Sequence, residues 1–185
     1  MIEFKSPVKL RGIHAVYGHY LSKDKGVERI GGVNVFQRLV DAFMVGILVG
    51  LKYSKQSSGS DEPAFYKDYF NSPEEYGDKS VKSADIPIEV LNGCRKQLDY
   101  IYRVVMLAED IRKISDTEKI ANAFKCEGDE DKLNQNLKFM KTLANGGLEI
   151  MYERFRGLTD EVDILEAQLE LFDDIGGFVP QEDEV

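Results

Sequence analysis

The segment Ala144-Asn145-Gly146-Gly147-Leu148-Glu149-Ile150 places two adjacent glycines inside what otherwise has the pattern of one long amphipathic helix. A glycine in a helix interior costs roughly 0.5–1 kcal/mol relative to alanine. A chain that carries two together is expected to gain a close backbone contact, a break in the helix or a binding site.

The apolar positions around the glycine pair indicate that the helix continues through it. One stripe at helical spacing is formed by Leu133, Leu137, Met140, Ala144, Gly147, Met151, Phe155 and Leu158. Because a true break usually resets this phase, we predict one continuous or mildly kinked helix over about 131–156. The alternative is a helix C-cap at Asn145-Gly146, since both residue types enter left-handed conformations easily.

A second predicted helix, over 34–52, carries a matching ridge of small residues. The ridge is formed by Ala42, Gly46 and Gly50, which are four positions apart. Small residues at this spacing let a partner backbone approach closely. We therefore predict that the ridge crosses the long helix at Ala144 and Gly147. The alternative is that the glycines are only tolerated on exposed faces.

Polar residues interrupt these apolar helices at three positions. Arg38 and Asp41 are three residues apart and can pair on one helix face. A charge in a largely buried segment needs a partner, so we interpret them as an ion pair at the helix end. The sharper alternative is a polar contact with another protein chain. Asn145 on the long helix also has two interpretations, as a polar residue of the core or as a residue that contacts a partner.

The remaining patterns predict further helices and no strands. Capping boxes mark two helix starts, at Asn34 with Gln37 and at Ser115 with Glu118. The predicted helices cover 10–22, 34–52, 85–113, a short segment that opens at Ser115, 131–156 and 159–174. Residues 53–84 are predicted to be a long polar loop with scattered aromatics and one helical turn near 64–70. The sequence predicts an all-α, single-domain bundle of about six helices. Its core domain covers 1–156, and an acidic amphipathic helix with a frayed tail covers 157–185.

The charge is divided unevenly along the chain. The formal net charge is -9, yet residues 1–156 carry all 24 basic residues and 23 of the 33 acidic ones. The last segment therefore holds ten acids and no base. The basic clusters are small, such as Lys5, Lys9 and Arg11, and phosphate contacts need clustered Lys and Arg. Direct nucleic-acid binding therefore ranks below the other possibilities.

The acidic helix over 159–174 has an apolar stripe that is a candidate surface for a partner. Its members are Val162, Leu165, Leu169 and Phe172. Acidic side chains cover the other faces, and an acidic docking segment suits a basic partner. The polar loop 53–84 is a second candidate contact surface.

Composition also suggests a compartment. The apolar stretch 33–51 is interrupted by charges, and its uncharged part has half of the roughly 20 residues that a membrane span needs. No membrane insertion is expected. With no secretory signal in the sequence, we expect a cytoplasmic protein whose cysteines, Cys94 and Cys126, are free thiols.

Catalytic patterns are not found in the sequence. His14 and His19 are five apart and do not share a helix face as a metal pair would. Glu149 and Glu153 are four apart, and paired helix carboxylates can bind a divalent ion. Without a second helix that carries a carboxylate and a histidine, a solvated face is the preferred interpretation of this pair. No metal, cofactor or catalytic residue is predicted.

Three elements of the chain resemble the small accessory proteins associated with the Dnd system of DNA phosphorothioation. The first is a Phe-x-x-x-x-Asp helix from Val35 that ends in Gly50-Leu51-Lys52. The second is the apolar helix Val104 to Ala108 followed by Ile114-Ser115-Asp116, and the third is the Ala144–Ile150 segment itself. The resemblance covers about 35–155. The polar insertion 53–84 is longer than in such proteins, and Lys52 and Lys55 are separated rather than adjacent.

The resemblance implies a bacterial setting of DNA modification and defence against foreign DNA, and it supplies no catalytic residues. We therefore predict a non-enzymatic accessory or scaffold protein that binds other subunits of such a complex. A basic DNA-handling ATPase or nuclease is the expected kind of partner. One alternative is a metal-dependent nuclease or nucleotide hydrolase that uses Glu149 and Glu153. Another is an acidic regulator that competes with DNA for a basic protein surface.

Overall fold

The computed structural model describes residues 2, 4–23, 34–70, 77–125 and 129–176. Within these ranges the chain forms seven α-helices and two small two-stranded sheets, and it is 63% helical. The predicted all-α single-domain bundle is confirmed. Two sequence predictions lie outside the described residues: the free thiol Cys126 and the frayed tail from Gly177.

The helices in chain order are α1 (Ile13–Leu21), α2 (Leu39–Lys52), α3 (Ile88–Gly93), α4 (Arg95–Ala108), α5 (Asp116–Phe124), α6 (Glu130–Phe155) and α7 (Glu161–Gly176). The strands are β1 (Val8–Arg11), β2 (Ala64–Phe65), β3 (Ser80–Val81) and β4 (Ser83–Ile86). β1 pairs with β4 and β2 pairs with β3, both antiparallel.

Helices α2 and α6 form the centre of the molecule and pack against each other more extensively than any other two elements. α2 is apolar nearly all round, so it is covered on several sides by α1, α4, α6 and α7. α6 is one continuous helix through Gly146 and Gly147, which confirms the predicted continuity. The buried faces of all these helices belong to one hydrophobic core.

Two predicted helix starts are wrong. α1 begins at Ile13 rather than residue 10, because β1 occupies the preceding residues and Gly12 turns the chain with φ of 55°. α2 begins at Leu39 rather than at an Asn34 cap. Phe36 is held in a bridge between the carbonyl of Leu21 and the amide of Lys23, which keeps this stretch extended.

The predicted helix over 85–113 is divided and shorter. Cys94 leaves helical geometry between α3 and α4, and Asp85 belongs to β4. α4 ends at Ala108 because the buried Glu109 carboxylate accepts hydrogen bonds from the backbone N–H and the Nε of Arg112, which closes a turn. By contrast, the Ser115 cap of α5 is confirmed, since its Oγ accepts the N–H of Glu118.

The predicted polar loop 53–84 contains more structure than expected. It holds β2, β3, the first half of β4 and a 3-10 turn at Tyr66–Asp68. Strands of two to four residues are too short for an alternating pattern to be recognised. Tyr66 and Phe70 are buried against the helices, so the segment is docked on the bundle by its aromatic side chains.

α2 is the most apolar of the described helices. Among the described helices, none combines the length and the apolar composition that crossing a bilayer requires.

Candidate functional site

The crossing of α2 and α6 is a backbone-to-backbone contact. A Cβ on Gly147 would lie 2.7 Å from the carbonyl carbon of Gly46, and one on Gly50 would lie 2.7 Å from that of Leu143. A Cβ on Gly46 would lie 3.0 Å from the oxygen of Ala144. These distances leave no room for side chains at Gly50 and Gly147. The structure thus brings Gly46, Gly50, Ala144 and Gly147 into one close contact between the two helices, and Ala42, one turn before Gly46, is fully buried.

The second glycine of the pair contacts a different neighbour. A Cβ on Gly146 would lie 2.7 Å from the carbonyl carbon of Lys55, in the segment that follows α2. This segment is further held by Asn145, whose buried Nδ2 donates to the carbonyl of Ser57 at 3.1 Å, and by a hydrogen bond from the Ser57 N–H to the carbonyl of Thr142. The two glycines therefore serve two close contacts, one with α2 and one with residues 55–57.

Glu149 provides the charged contacts of the Ala144–Ile150 segment of α6. Its Oε1 lies 2.9 Å from Nε2 of the buried His14, and its Oε2 lies 2.8 Å from Nζ of Lys55. Burial acts to raise the pKa of Glu149, but hydrogen bonds from Lys55, Ser57 and His14 outweigh it and hold this pKa below its usual value. For His14, burial lowers the pKa in spite of the opposing Glu149 carboxylate. The group therefore pairs Glu149 with Lys55, beside an imidazole whose charged form is disfavoured by burial.

The two carboxylates considered for a metal ion have different partners. Both oxygens of Glu149 are engaged by His14 and Lys55, whereas the exposed Glu153 lies 3.4 Å from the guanidinium of Arg156. Over the described part of the chain, no group of three or more His, Cys, Asp or Glu side chains is placed to hold a metal ion. The structure thus gives Glu149 a role in anchoring the segment after α2.

Arg38 and Asp41 form a two-pronged ion pair at the start of α2. The Nε and Nη2 atoms of Arg38 lie 3.0 and 2.6 Å from the two carboxylate oxygens of Asp41. The Arg38 side chain is 57% exposed. The pair therefore lies at the surface, where a bidentate contact orients the guanidinium but contributes little to stability. The hydrogen bonds to Asp41 raise the pKa of Arg38.

The predicted stripe on the last helix lies fully at the surface. Val162, Leu165, Leu169 and Phe172 are each 52–61% exposed. The opposite face of α7 holds it on the bundle through Ala167 and Leu171, which are 9% and 0% exposed. Because the helix is anchored by one face, the stripe on the other face is presented to solvent on a fixed support. We refer to these four residues as the α7 stripe.

A polar contact also fixes the end of α7. The carboxylate of Asp174 accepts hydrogen bonds from Nη2 of Arg154 at 2.6 Å and from the hydroxyl of Tyr53 at 2.7 Å. These contacts hold the pKa of Asp174 below its usual value. They tie α7 to α6 and to the end of α2, so the orientation of the stripe is set by both packing and charge.

Sequence reasoning missed the partners of Glu149. His14 is 135 residues away and Lys55 is 94 residues away, and no local pattern signals either contact. The only available signal was indirect: a histidine on the apolar face of the first helix needs a polar partner when it is buried.

The geometry therefore offers one exposed apolar surface of defined composition, the α7 stripe, and one buried anchoring group around Glu149. Comparison of the chain with protein-family models, with curated proteins and with solved structures finds no match.

Proposed function

We propose that this protein is a non-enzymatic accessory protein that acts by binding another protein through the α7 stripe. The observation that carries the proposal is the exposure of four large apolar side chains in one row on a helix whose other face is anchored. Single exposed apolar residues are normal, but a contiguous row on a rigid helix is typical of a binding surface. An amphipathic helix presented in this way fits an apolar groove on a partner.

The charge around the stripe specifies the chemistry of the partner. Six acidic residues and no Lys or Arg lie on α7. Glu166 is four residues after Val162 and three before Leu169, and Asp173 is four after Leu169, so both border the stripe. A groove with an apolar floor and a basic rim would complement this surface. Such a rim would also speed association and make it sensitive to salt.

The resemblance of residues 35–155 to Dnd-associated proteins supports a bacterial DNA-modification or phage-defence complex as the setting. Proteins that handle DNA carry basic surfaces because they contact phosphates. A DNA-handling ATPase or nuclease of such a complex would therefore provide the basic partner that the acidic helix requires.

The test is affinity purification of the tagged full-length chain from its source organism, with partners identified by mass spectrometry. The binding of the purified partner is then measured by calorimetry for the wild type and for a Leu165→Gln/Leu169→Gln variant. The matched control is Leu107→Gln/Ile120→Gln, which removes two exposed apolar side chains elsewhere on the surface. We expect the α7 variant to bind at least tenfold more weakly and the control to bind as the wild type does.

Three results would overturn the proposal. The first is equal loss of binding in both variants, and the second is a set of partners with no DNA-modification or restriction subunit. The third comes from analytical ultracentrifugation: self-association that disappears in the α7 variant would make the stripe an interface between two copies of this chain. The full-length chain is used because deleting α7 would uncover the core residues that Leu171 contacts.

A further inference from the structure

A cavity of about 410 Å³ opens between the N-terminal arm, β1, α2 and α6, and its lining is basic. Four cationic side chains face it, Lys9, Arg11, Lys138 and Lys141, and the described lining residues include no Asp or Glu. Its walls are largely apolar and include Phe4, Phe43 and Leu137. Cavities of roughly 300–1,000 Å³ with apolar walls and a few convergent polar groups are the usual form of small-molecule sites.

The charges of this cavity are only partly balanced. Lys9 lies 3.5 Å from Asp85, and Arg11 lies 2.5 Å from Asp61. Lys138 and Lys141 have no carboxylate within 4 Å among the residues that the structure describes. Burial and the charge of Arg11 lower the pKa of Lys141, against the opposing effect of the Asp61 carboxylate. Two ammonium groups thus remain available to an anion, three residues apart and adjacent on one face of α6.

The kind of anion follows from which cations are available. A carboxylate is best bound by a free guanidinium, which presents two parallel donors, but Asp61 already engages Arg11. The two free groups are lysines, which bind phosphate as point charges. Two positive charges match the two negative charges of a phosphate monoester, and the aromatic walls offer surface to an apolar body attached to it.

We propose that this cavity binds a small phosphate monoester with an aromatic or aliphatic body, of about the size of a nucleoside monophosphate. Lys138 and Lys141 hold the phosphate, and Phe4, Phe43 and Leu137 contact the body. The site is independent of the α7 stripe, so its failure would leave the proposed protein-binding function unaffected. Sequence reasoning noted Lys9 and Arg11 but not the lysines of α6, which are about 130 residues away and meet them only in the folded chain.

The test is isothermal titration calorimetry of the full-length protein with four probes. These are adenosine 5′-monophosphate, adenosine, inorganic phosphate and dodecyl phosphate. We expect one of the two organic phosphates to bind at least tenfold more tightly than adenosine and than inorganic phosphate. The better of the two identifies the body as a nucleoside or as an alkyl chain.

Variants of the cavity lysines test whether the probe binds in this cavity. Lys138→Gln/Lys141→Gln is expected to weaken binding of the better probe at least tenfold. The matched control, Lys79→Gln/Lys96→Gln, removes the same charge from exposed positions outside the cavity and is expected to stay within twofold of the wild type. Lys138→Glu is a second variant, at an exposed position, and its reversed charge is expected to abolish binding. Circular dichroism and the melting temperature verify folding in each case.

Two outcomes would overturn the proposal. One is that neither organic phosphate binds at millimolar concentration. The other is that the control weakens binding as much as the cavity variants do, which would indicate general attraction to positive charge rather than a site.

Discussion

Backbone contact explains the two adjacent glycines at residue level. Gly147 lets the backbone of α2 approach, and Gly146 lets the backbone at Lys55 approach. The free energy that each glycine costs in a helix interior is therefore offset by packing that no larger residue would allow.

Gly147→Ala tests this explanation. The added Cβ would meet the backbone of Gly46, which cannot move without separating α2 from α6, so we expect a loss of about 3 kcal/mol or more of unfolding free energy. The control is Gly93→Ala at the exposed end of α3, where nothing lies within 4 Å of an added Cβ. Alanine there should be neutral or stabilising by about 0.5–1 kcal/mol. Urea denaturation of both variants provides the measurement, and equal stability of Gly147→Ala and the wild type would contradict the close crossing.

His14 is expected to make stability depend on pH. Burial lowers the pKa of its folded form below the unfolded value of 6.5. Below pH 6.5 the unfolded chain therefore takes up a proton that the folded chain resists, and stability falls on acidification by at most about 1.4 kcal/mol per pH unit. The lowered pKa of Glu149 acts in a lower window, below its unfolded value of 4.5.

The measurement for His14 is urea denaturation at pH 7.0 and 5.5 for the wild type and for His14→Gln. The wild type should lose more stability between the two values than the variant, because glutamine does not titrate. Identical losses would show that the buried imidazole does not resist protonation.

At the level of elements, α7 has two apolar faces with different roles. Ala167 and Leu171 are buried on the bundle, while the α7 stripe is exposed. Sequence periodicity identified the stripe, but the same periodicity normally indicates the face toward the core. The helix packs by its other side, where Ala167 and Leu171 are buried and Asp174 is tied to Arg154 and Tyr53.

A matched pair of leucines tests the orientation of α7. Leu171→Ala should cost about 2–4 kcal/mol because it leaves a cavity in the core. Leu169→Ala, on the exposed face of the same helix, should change stability by no more than about 0.5 kcal/mol. Thermal or urea denaturation measures the loss of stability in the two variants. A larger loss in Leu169→Ala than in Leu171→Ala would mean that the stripe faces the core.

For the molecule as a whole, stability is concentrated at the crossing of α2 and α6. These helices contribute fully buried residues such as Ile47, Leu143 and Leu148, whereas β2 and β3 have two residues each, none of which is fully buried. Regions with few buried apolar contacts open locally before the whole chain unfolds.

Hydrogen exchange should show this difference. We expect the amides of 46–50 and 143–148 to exchange only through global unfolding, at the slowest rate in the chain. The amides of 64–65 and 80–81 should exchange faster by orders of magnitude. Exchange followed by mass spectrometry measures both, and equal protection of the two regions would contradict a core centred on the crossing.

Features that depend on residues close together in the chain could be predicted from the sequence, whereas features that depend on distant residues could not. The continuity of α6 through Gly146-Gly147 was predictable because one apolar stripe keeps its phase over the whole helix. The start of α2 was not, because a distant bridge between Phe36 and the end of α1 holds residues 34–38 out of the helix. The turn at Glu109 depends partly on a tertiary contact, because the guanidinium of Arg112 that closes it also donates to Asn136 of α6.

The candidate sites also differ in whether the sequence alone could identify them. The α7 stripe and the Arg38–Asp41 pair could be identified from spacing, since the members of each lie close together in the chain. The Glu149 group and the basic cavity could not, because their members come from distant parts of the chain.

The sequence by itself determined the helical class, the long central helix and the acidic character of the last one, because these follow from local periodicity and composition. Only the tertiary structure decided which neighbour each glycine contacts, which side chains surround Glu149, and which face of α7 meets solvent. The first two outcomes depend on packing between residues that are 90 or more positions apart, such as Lys55 and Glu149, and the third depends on how α7 docks on the bundle. No local pattern encodes such contacts.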